Sequence, residues 1–347
     1  MKKIGSLLTV LFIFSLTVSV AFGGEIKFSR EEIRKLELIK KAKKFGQEVL
    51  GLHPTSNFIV FEERLSKYSL LFFSKKTDVA FSYDDPLMSA ISSDYDDEKT
   101  AVIKYEIATG DYDVFLASVA MSSGTYITRK FLTYSDKTIV RTVLHEDLHD
   151  NISLPRHMEE SVAAVFEAAA AARFYNESDK DFRVTMGFAL FAALDLDMLF
   201  HEISDLNQKF KSGELSLAGY LTERDKKIKE SYYPSMAEIS VMHTYKHYFA
   251  LWYKLLRAMN FNVPKFIDFL RAFPFKEEKK EWGQQKSFEE TMKLEEEASA
   301  YVEGVISSMQ GKKSDNFDFT ENEFEKWQKD YKHKGLLPEN LGRFLRK

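Results

Sequence analysis

The chain has 347 residues, 44% hydrophobic and 29% charged, which is enough apolar material for one large domain or two tightly joined ones. Its formal net charge is −4 and both signs are interspersed, so no basic stripe indicates a nucleic-acid partner. Cysteine is absent, which excludes disulfides and thiolate ligands, and any metal site must therefore use His, Asp and Glu.

Residues 1–23, MKKIGSLLTVLFIFSLTVSVAFG, predict a secretory signal peptide. Two lysines are followed by an apolar stretch and then by small residues at the cleavage positions. An uncleaved membrane anchor is the alternative, although the apolar run is short for a spanning helix. We expect an exported protein, periplasmic or extracellular, without stable membrane insertion after cleavage. The sequence leaves the oligomeric state open.

The first element after the signal peptide is an amphipathic helix. Ser29 followed by Glu32 predicts a capping box at its start, and Gly51 predicts its end. The helix 30–50 has one apolar and one basic face. We expect the basic face, which includes Lys43, to be solvated.

Short runs rich in Phe, Val and Tyr follow, and they predict β-strands. The predicted strands are 57–62, 68–74, 78–83 and 112–120. A further extended piece is expected at 126–132, and 96–110 fits either a helix or a strand. From residue 136 onward the apolar spacing is helical to the end of the chain. The predicted fold class is α+β: a mixed N-terminal half with a small sheet, followed by an all-helical C-terminal half.

Residues 142–164, TVLHEDLHDNISLPRHMEESVAA, contain the pattern HExxH. His145 and His149 are four residues apart, so a helix presents both imidazoles on one face, as tetrahedral Zn²⁺ requires. Glu146 is placed beside such a metal to take a proton from the attacking water. The competing interpretation is an ordinary polar helix face. It is disfavoured by the motif, the glutamates of the next helix and the export signal together.

The third ligand has three candidates on the next predicted helix, which begins near Pro155. His157 lies eight residues beyond His149, whereas the metzincin pattern places its third histidine six residues beyond and after a glycine. A carboxylate is therefore the better candidate. Glu159 and Glu160 point about 100° apart on a helix, so only one of them can face the metal.

The segment PRHMEESVA resembles the P-x-W-L-x-E-G-x-A segment that follows HExxH in zinc metallopeptidases of the gluzincin type. It is more closely similar to the N-E-S-x-A segment of a family of predicted bacterial aminopeptidases. Further likenesses to that family lie in AKKFGQEVLGL (42–52), GDYDVFLASVAMSSG (110–124) and MHTYKHYFALWYKLLRAMNFNVPKFIDFLR (242–271). The resemblance implies Glu160 as the third ligand, one Zn²⁺ ion and a peptide or protein substrate. Asp147 and Leu148 depart from the family's Leu-Ala between the histidines.

Metallopeptidases often use a Tyr or His to stabilise the oxyanion formed at the scissile carbonyl. The likeness of Thr244-Tyr245 to the family's late helix makes Tyr245 the first candidate for this role and His243 the second. His243 and His247 are also four residues apart but lack the intervening glutamate. The polar edge of a buried helix is the preferred interpretation of His247.

A substrate-binding edge is predicted at Ser122, Ser123 and Gly124, which could pair with an extended peptide; a plain turn is the alternative. We expect three regions: the signal peptide 1–23, a zincin-like catalytic core 24–175, and a helical part 176–347 that closes the active-site cleft. The expected function is that of an exported zinc metallopeptidase, with aminopeptidase action implied by the resemblance. The alternatives are an endopeptidase of the same chemistry and a non-catalytic zinc-binding envelope protein.

Overall fold

The computed structural model describes residues 27–63, 68–94, 110–118, 126–277 and 287–310. These residues form a mostly helical protein with one small antiparallel sheet, so the predicted α+β class is confirmed. The predicted signal peptide lies outside the described residues.

The helices follow the expected apolar spacing, and several of them begin at a serine whose hydroxyl accepts a backbone N–H of the first turn. In chain order the helices are α1 (Arg30–Glu48), α2 (Arg129–Leu132), α3 (Asp136–His149), α4 (Arg156–Phe174), α5 (Asp179–Lys211), α6 (Leu217–Glu230), α7 (Met236–Lys246), α8 (Phe249–Ala258), α9 (Val263–Arg271) and α10 (Phe288–Gln310).

Helix α1 confirms the first predicted element. Ser29 and Glu32 form the capping box in both directions, with side chains bonded to each other's backbone N–H groups. The chain leaves the helix through Gly51, whose φ of +80° suits a residue without a side chain.

The sheet has the strand order β2-β1-β3 and is antiparallel throughout. Its strands are β1 (Tyr68–Lys75), β2 (Ser89–Asp94) and β3 (Tyr112–Ser118). The rings of Phe72 and Phe115 stack on one face, with centroids 6.4 Å apart. Helix α7 packs on β1 and β3, and Val241 of α7 lies in the same apolar cluster as Phe72. The sheet is thereby fixed next to α7, a helix that also packs on α4 and α5.

Several strand predictions are wrong. The run 57–62 forms turns, with a single bridge from Phe61 to Ile127. The run 78–83 is a turn region in which the Asp85 carboxylate accepts the N–H groups of Phe81 and Leu87. A short side chain that binds nearby N–H groups competes with strand pairing, which explains the error.

The predicted extended piece 126–132 contains the short helix α2. The strand β2 was not predicted, because SAISSD offers one strong strand former and depends on its pairing with β1. The strand predictions 68–74 and 112–120 are confirmed by β1 and β3, except for 119–120, which lie outside the described residues. Most of the ambiguous stretch 96–110 also lies outside them.

The centre of the protein is α4, whose alanine-rich body is almost completely buried. Small side chains let α3, α5, α7 and α8 approach it closely. The main apolar cluster takes residues from α1, α3 and α4 as well as from α8, α9 and α10. The predicted regions 24–175 and 176–347 therefore share one core.

Among the described helices, α5 alone is long and apolar enough to cross a membrane, with a mean hydropathy of 1.4 over its most apolar stretch. Core helices of soluble proteins also meet this criterion, although only 28% of this stretch of α5 is buried. Here α5 packs against α4, α6, α7 and α8 and carries Asp195 and Asp197 in the middle of its length.

Candidate metal centre

The HExxH helix α3 and the glutamate helix α4 are joined by a short turn, as the sequence predicts, and they pack against each other along their lengths. The turn is held by side chains: Asn151 donates to the backbone oxygen of Asp147, and the Ser153 hydroxyl donates to that of Glu277. Pro155 is the N-cap of α4. The first turn of α4 consequently lies beside the last turn of α3.

Three potential ligand atoms converge between these helices. The Nε2 atoms of His145 and His149 are 3.1 Å apart. Oε2 of Glu160 lies 3.4 Å from each of them. A tetrahedral Zn²⁺ with bonds of the usual length holds its ligand atoms about 3.3 Å from one another. The spacing of these three atoms therefore fits a zinc ion.

The outer nitrogen of each imidazole faces a carboxylate. Nδ1 of His145 is 3.0 Å from Glu167, and Nδ1 of His149 is 3.0 Å from Glu159. A carboxylate accepts the Nδ1 proton of a neutral imidazole, which turns the lone pair of Nε2 inward. Two inward lone pairs 3.1 Å apart repel each other unless a cation or a proton lies between them. The hydrogen bonding of the histidines thus also fits a metal ion.

This arrangement distinguishes the two neighbouring glutamates. Glu160 faces the Nε2 side, where a metal ion would bind, whereas Glu159 faces the Nδ1 side of His149. Glu159 also accepts the backbone N–H of Leu154 from the turn. The geometry favours Glu160 as the third ligand, as the resemblance implies. Glu159 orients the ring of His149 through its Nδ1 atom.

Glu167 is a site residue that the sequence reasoning missed. Arg141 donates to the Glu167 carboxylate, which in turn bonds His145. Burial raises the pKa of Glu167, but Arg141 and His145 outweigh burial and lower it to about 2. The sequence does contain an indication that Glu167 belongs to the site. Glu167 lies seven residues after Glu160, and this spacing puts both on one face of a helix.

Carboxylates surround both histidines of the site. Burial lowers the pKa of His145, but its bonds to Glu160 and Glu167 prevail and raise that pKa to about 9. The pKa of His149 is also raised, since Glu160 and Glu159 together overcome burial. Carboxylates that draw protons onto these imidazoles attract a divalent cation for the same electrostatic reason.

Glu146 is half-buried beside the three converging atoms. Burial raises the pKa of its carboxyl above the ordinary value, although the adjacent His145 and His149 act against this. Its backbone oxygen accepts a hydrogen bond of 2.8 Å from the side chain of Asn57. A carboxylate with a raised pKa is a better proton acceptor for a water molecule than an exposed one.

Asp147, the unusual acidic residue inside the motif, anchors the helix. Its carboxylate is 2.9 Å from Nζ of Lys43 and accepts the Thr55 hydroxyl as well. The Lys43 and Asp147 side chains are only 12% and 3% exposed. The expectation that Lys43 belongs to a solvated face is therefore wrong. The periodicity of α1 alone could not reveal a buried acid on a distant helix.

Two tyrosines lie near Glu160. The ring of Tyr245, on α7, has its centroid 6.2 Å from that of His145, and the charge of Glu160 raises the pKa of its phenol well above normal. Tyr83, which the sequence reasoning missed, has its hydroxyl 3.5 Å from Oε1 of Glu160. Burial raises the pKa of Tyr83. Both phenols therefore keep their protons and can donate hydrogen bonds.

The structure does not bring His243 to this centre. Its Nδ1 is 2.9 Å from the backbone oxygen of Phe81 and its Nε2 is 3.2 Å from Asp197. Burial lowers the pKa of His243 to about 4. Two positions along a helix correspond to a rotation of about 200°, so His243 and Tyr245 point to opposite sides of α7. The predicted catalytic role of His243 is thus not supported.

His157, an alternative third ligand, also points elsewhere. Its ring nitrogens face Glu295 at 3.1 Å and Asp84 at 2.7 Å in a fully buried position. The predicted substrate edge at Ser122, Ser123 and Gly124 lies outside the described residues.

Comparison of the chain with protein-family models, with curated proteins and with solved structures gives no match. The resemblance to predicted aminopeptidases accordingly stays a prediction that rests on the quoted motifs.

Proposed function

We propose that this protein is an exported, zinc-dependent metallopeptidase with a zincin-type centre that hydrolyses peptide bonds. The observation that carries the proposal is the convergence of His145, His149 and Glu160 at ligand spacing, with Glu146 beside them. Two imidazoles and one carboxylate, with a position left for water, are the ligand set of many catalytic zinc sites. The orienting carboxylates Glu159 and Glu167 add to this support.

A zinc ion bound there would supply Lewis acidity, both to water and to the scissile carbonyl. Glu146 would accept the proton of the attacking water and later deliver it to the leaving amine. Its raised pKa supports both steps, because a group that takes and returns a proton works best when its pKa approaches the operating pH.

Tyr245 and Tyr83 are the candidates for stabilising the negative oxygen that forms during attack. Each keeps a phenolic proton at neutral pH because its pKa is raised. Each also lies near the three potential ligand atoms: the Tyr83 hydroxyl is 3.5 Å from Oε1 of Glu160, and the Tyr245 ring centroid is 6.2 Å from that of His145. A hydrogen bond that strengthens as charge develops lowers the barrier of the reaction.

The substrate class we propose is a peptide or an exported protein, encountered in the periplasm or outside the cell. Aminopeptidase action is favoured by the resemblance alone, and an endopeptidase would use the same chemistry. A peptide library with free amino termini and a matched library with acetylated termini would discriminate the two. An aminopeptidase cuts only the free library, whereas an endopeptidase cuts both.

The decisive variant is Glu146→Gln, which keeps the size of the side chain and removes the base. We expect it to retain zinc and to lose at least about two orders of magnitude in kcat, the usual contribution of a general base. The control is Glu62→Gln, on a half-buried residue of the N-terminal turns. If the wild type and Glu146→Gln cleave every peptide of the library at the same rate, or cleave none, the enzyme proposal fails. Zinc retention without cleavage would then favour a zinc-binding envelope protein.

A further inference from the structure

A second cluster of potential ligands lies on the opposite side of α7. Asp197 from α5 meets His243 from α7 and His247, which caps the C-terminus of α7 in a helical conformation. Oδ1 of Asp197 is 3.2 Å from Nε2 of His243 and 3.1 Å from Nδ1 of His247. One potential ligand atom from each residue lies within 4.8 Å of the other two. The histidines are four residues apart on one helix face, as in the HExxH motif.

The hydrogen bonding of His243 leaves a lone pair pointing at a negative charge. The backbone oxygen of Phe81 can only accept, so Nδ1 of His243 donates its proton there. In the neutral ring the lone pair of Nε2 then faces the Asp197 carboxylate. A proton on Nδ1 of His247 can be donated to Asp197. It does not reach the contact between Nε2 of His243 and Asp197. A proton or a metal cation between the two groups would relieve it.

Aromatic rings fix both imidazoles in place. Phe200 stacks on His243 with centroids 3.8 Å apart and planes 12° from parallel. The Phe81 ring meets the rings of His243 and His247 edge-on at 4.8 and 4.9 Å. A carbonyl that holds Nδ1 and a rigid apolar wall are the usual surroundings of a metal-binding histidine.

The cluster is open enough for an ion to enter. His243 is fully buried, but the side chains of His247 and Asp197 are 21% and 30% exposed. His201, one turn after Asp197 on α5, has its Nε2 3.6 Å from the other carboxylate oxygen and is largely exposed. The ion can therefore reach Asp197 from the solvent side.

We propose that Asp197, His243 and His247 bind a second divalent transition-metal ion, with the preference for Zn²⁺ that two imidazoles and a carboxylate confer. The ion joins α5 to α7. Because Tyr245 is on α7, the ion also fixes the helix that carries this tyrosine. The inference goes beyond the proposed peptidase and does not depend on it, since it shares no ligand with the first centre.

The test is the zinc content of the purified full chain after equilibration with Zn²⁺ and gel filtration. Four proteins are compared: wild type, His149→Ala, Asp197→Asn and the double variant. Two clusters predict two zinc ions per wild-type chain, one in each single variant and none in the double variant. Asp197→Asn is isosteric, and an amide can still hydrogen-bond both imidazoles, so the fold is retained without the metal.

If Asp197→Asn binds as much zinc as wild type, the cluster is a hydrogen-bonded His–Asp network and the proposal is overturned. If zinc is lost in Asp197→Asn but not in His149→Ala, the second site holds and the first zinc site fails. A melting curve provides the second readout: added Zn²⁺ should raise the Tm of His149→Ala but not that of the double variant. Equal rises would overturn the proposal. His247→Gln replaces Asp197→Asn if circular dichroism shows that the latter is unfolded.

Discussion

Glu159 and Glu160 are neighbours on α4, so the same substitution to Gln at each position tests which of them belongs to the metal. Each change keeps the shape of the side chain and removes one negative charge. Oε2 of Glu160 converges with both Nε2 atoms, whereas Glu159 contacts the outer nitrogen of His149. The geometry therefore predicts unequal losses of zinc affinity.

The magnitude for Glu159→Gln follows from a single hydrogen bond of 3.0 Å. A bond to a charged group contributes about 1.5–3 kcal/mol, which corresponds to roughly 10- to 150-fold in affinity. Loss of a carboxylate that orients a metal-binding histidine lowers metal affinity by about 10- to 100-fold. This range agrees with the one obtained from the hydrogen bond alone. Glu160→Gln removes a charged ligand itself, and we expect a loss greater than about 100-fold.

The assay is competition for Zn²⁺ with a chromophoric chelator at fixed pH and ionic strength. Both variants are made in an Asp197→Asn background, so that the second cluster does not contribute. Circular dichroism checks that the helix content of both variants matches that of the wild type. If Glu159→Gln loses as much affinity as Glu160→Gln, or more, the assignment of the third ligand is refuted. Unchanged tight binding in Glu160→Gln would refute it as well.

Three further predictions concern catalysis, stability and pH. Tyr245→Phe should lower kcat by about 10²- to 10³-fold and leave zinc content unchanged; unchanged turnover would reject its role. Asp147→Ala removes the carboxylate that pairs with the buried Lys43, which keeps only its bond to the Thr55 hydroxyl, and should lower the free energy of unfolding in urea by about 3–5 kcal/mol. The double change Lys43→Met with Asp147→Leu should lower it far less. Equal losses would contradict the buried pair. The pKa of His145 is about 9, so Zn²⁺ must displace a proton below that pH. Zinc affinity measured by chelator competition should rise with pH up to about 9, and a flat profile would oppose the ligand assignment.

Local patterns accounted for the elements whose stability is local. The capping box of Ser29 and Glu32, the stop at Gly51 and the helical spacing over 136–277 and 287–310 appear in the structure, because caps and amphipathic periodicity act within a few residues. The rest of the predicted helical half, 278–286 and 311–347, lies outside the described residues. Strand prediction was less successful. β2 needs β1 as a partner, and the run 78–83 gave way to the turn at Asp85, so pairing and turn chemistry outweighed composition.

At the metal centre, the sequence by itself determined that His145 and His149 share a helix face with Glu146 between them, because helix geometry fixes residues four apart. It also limited the third ligand to a few residues after the turn. Only the tertiary structure decided that Glu160 faces the Nε2 atoms and Glu159 the Nδ1 side, since this depends on how α4 is rotated against α3. The contacts between residues that are far apart in the sequence were likewise decided by the tertiary structure. Tertiary packing brings Lys43 beside Asp147, the turn residue Tyr83 beside Glu160, and Asp197 beside His243. No spacing along one chain segment encodes these contacts.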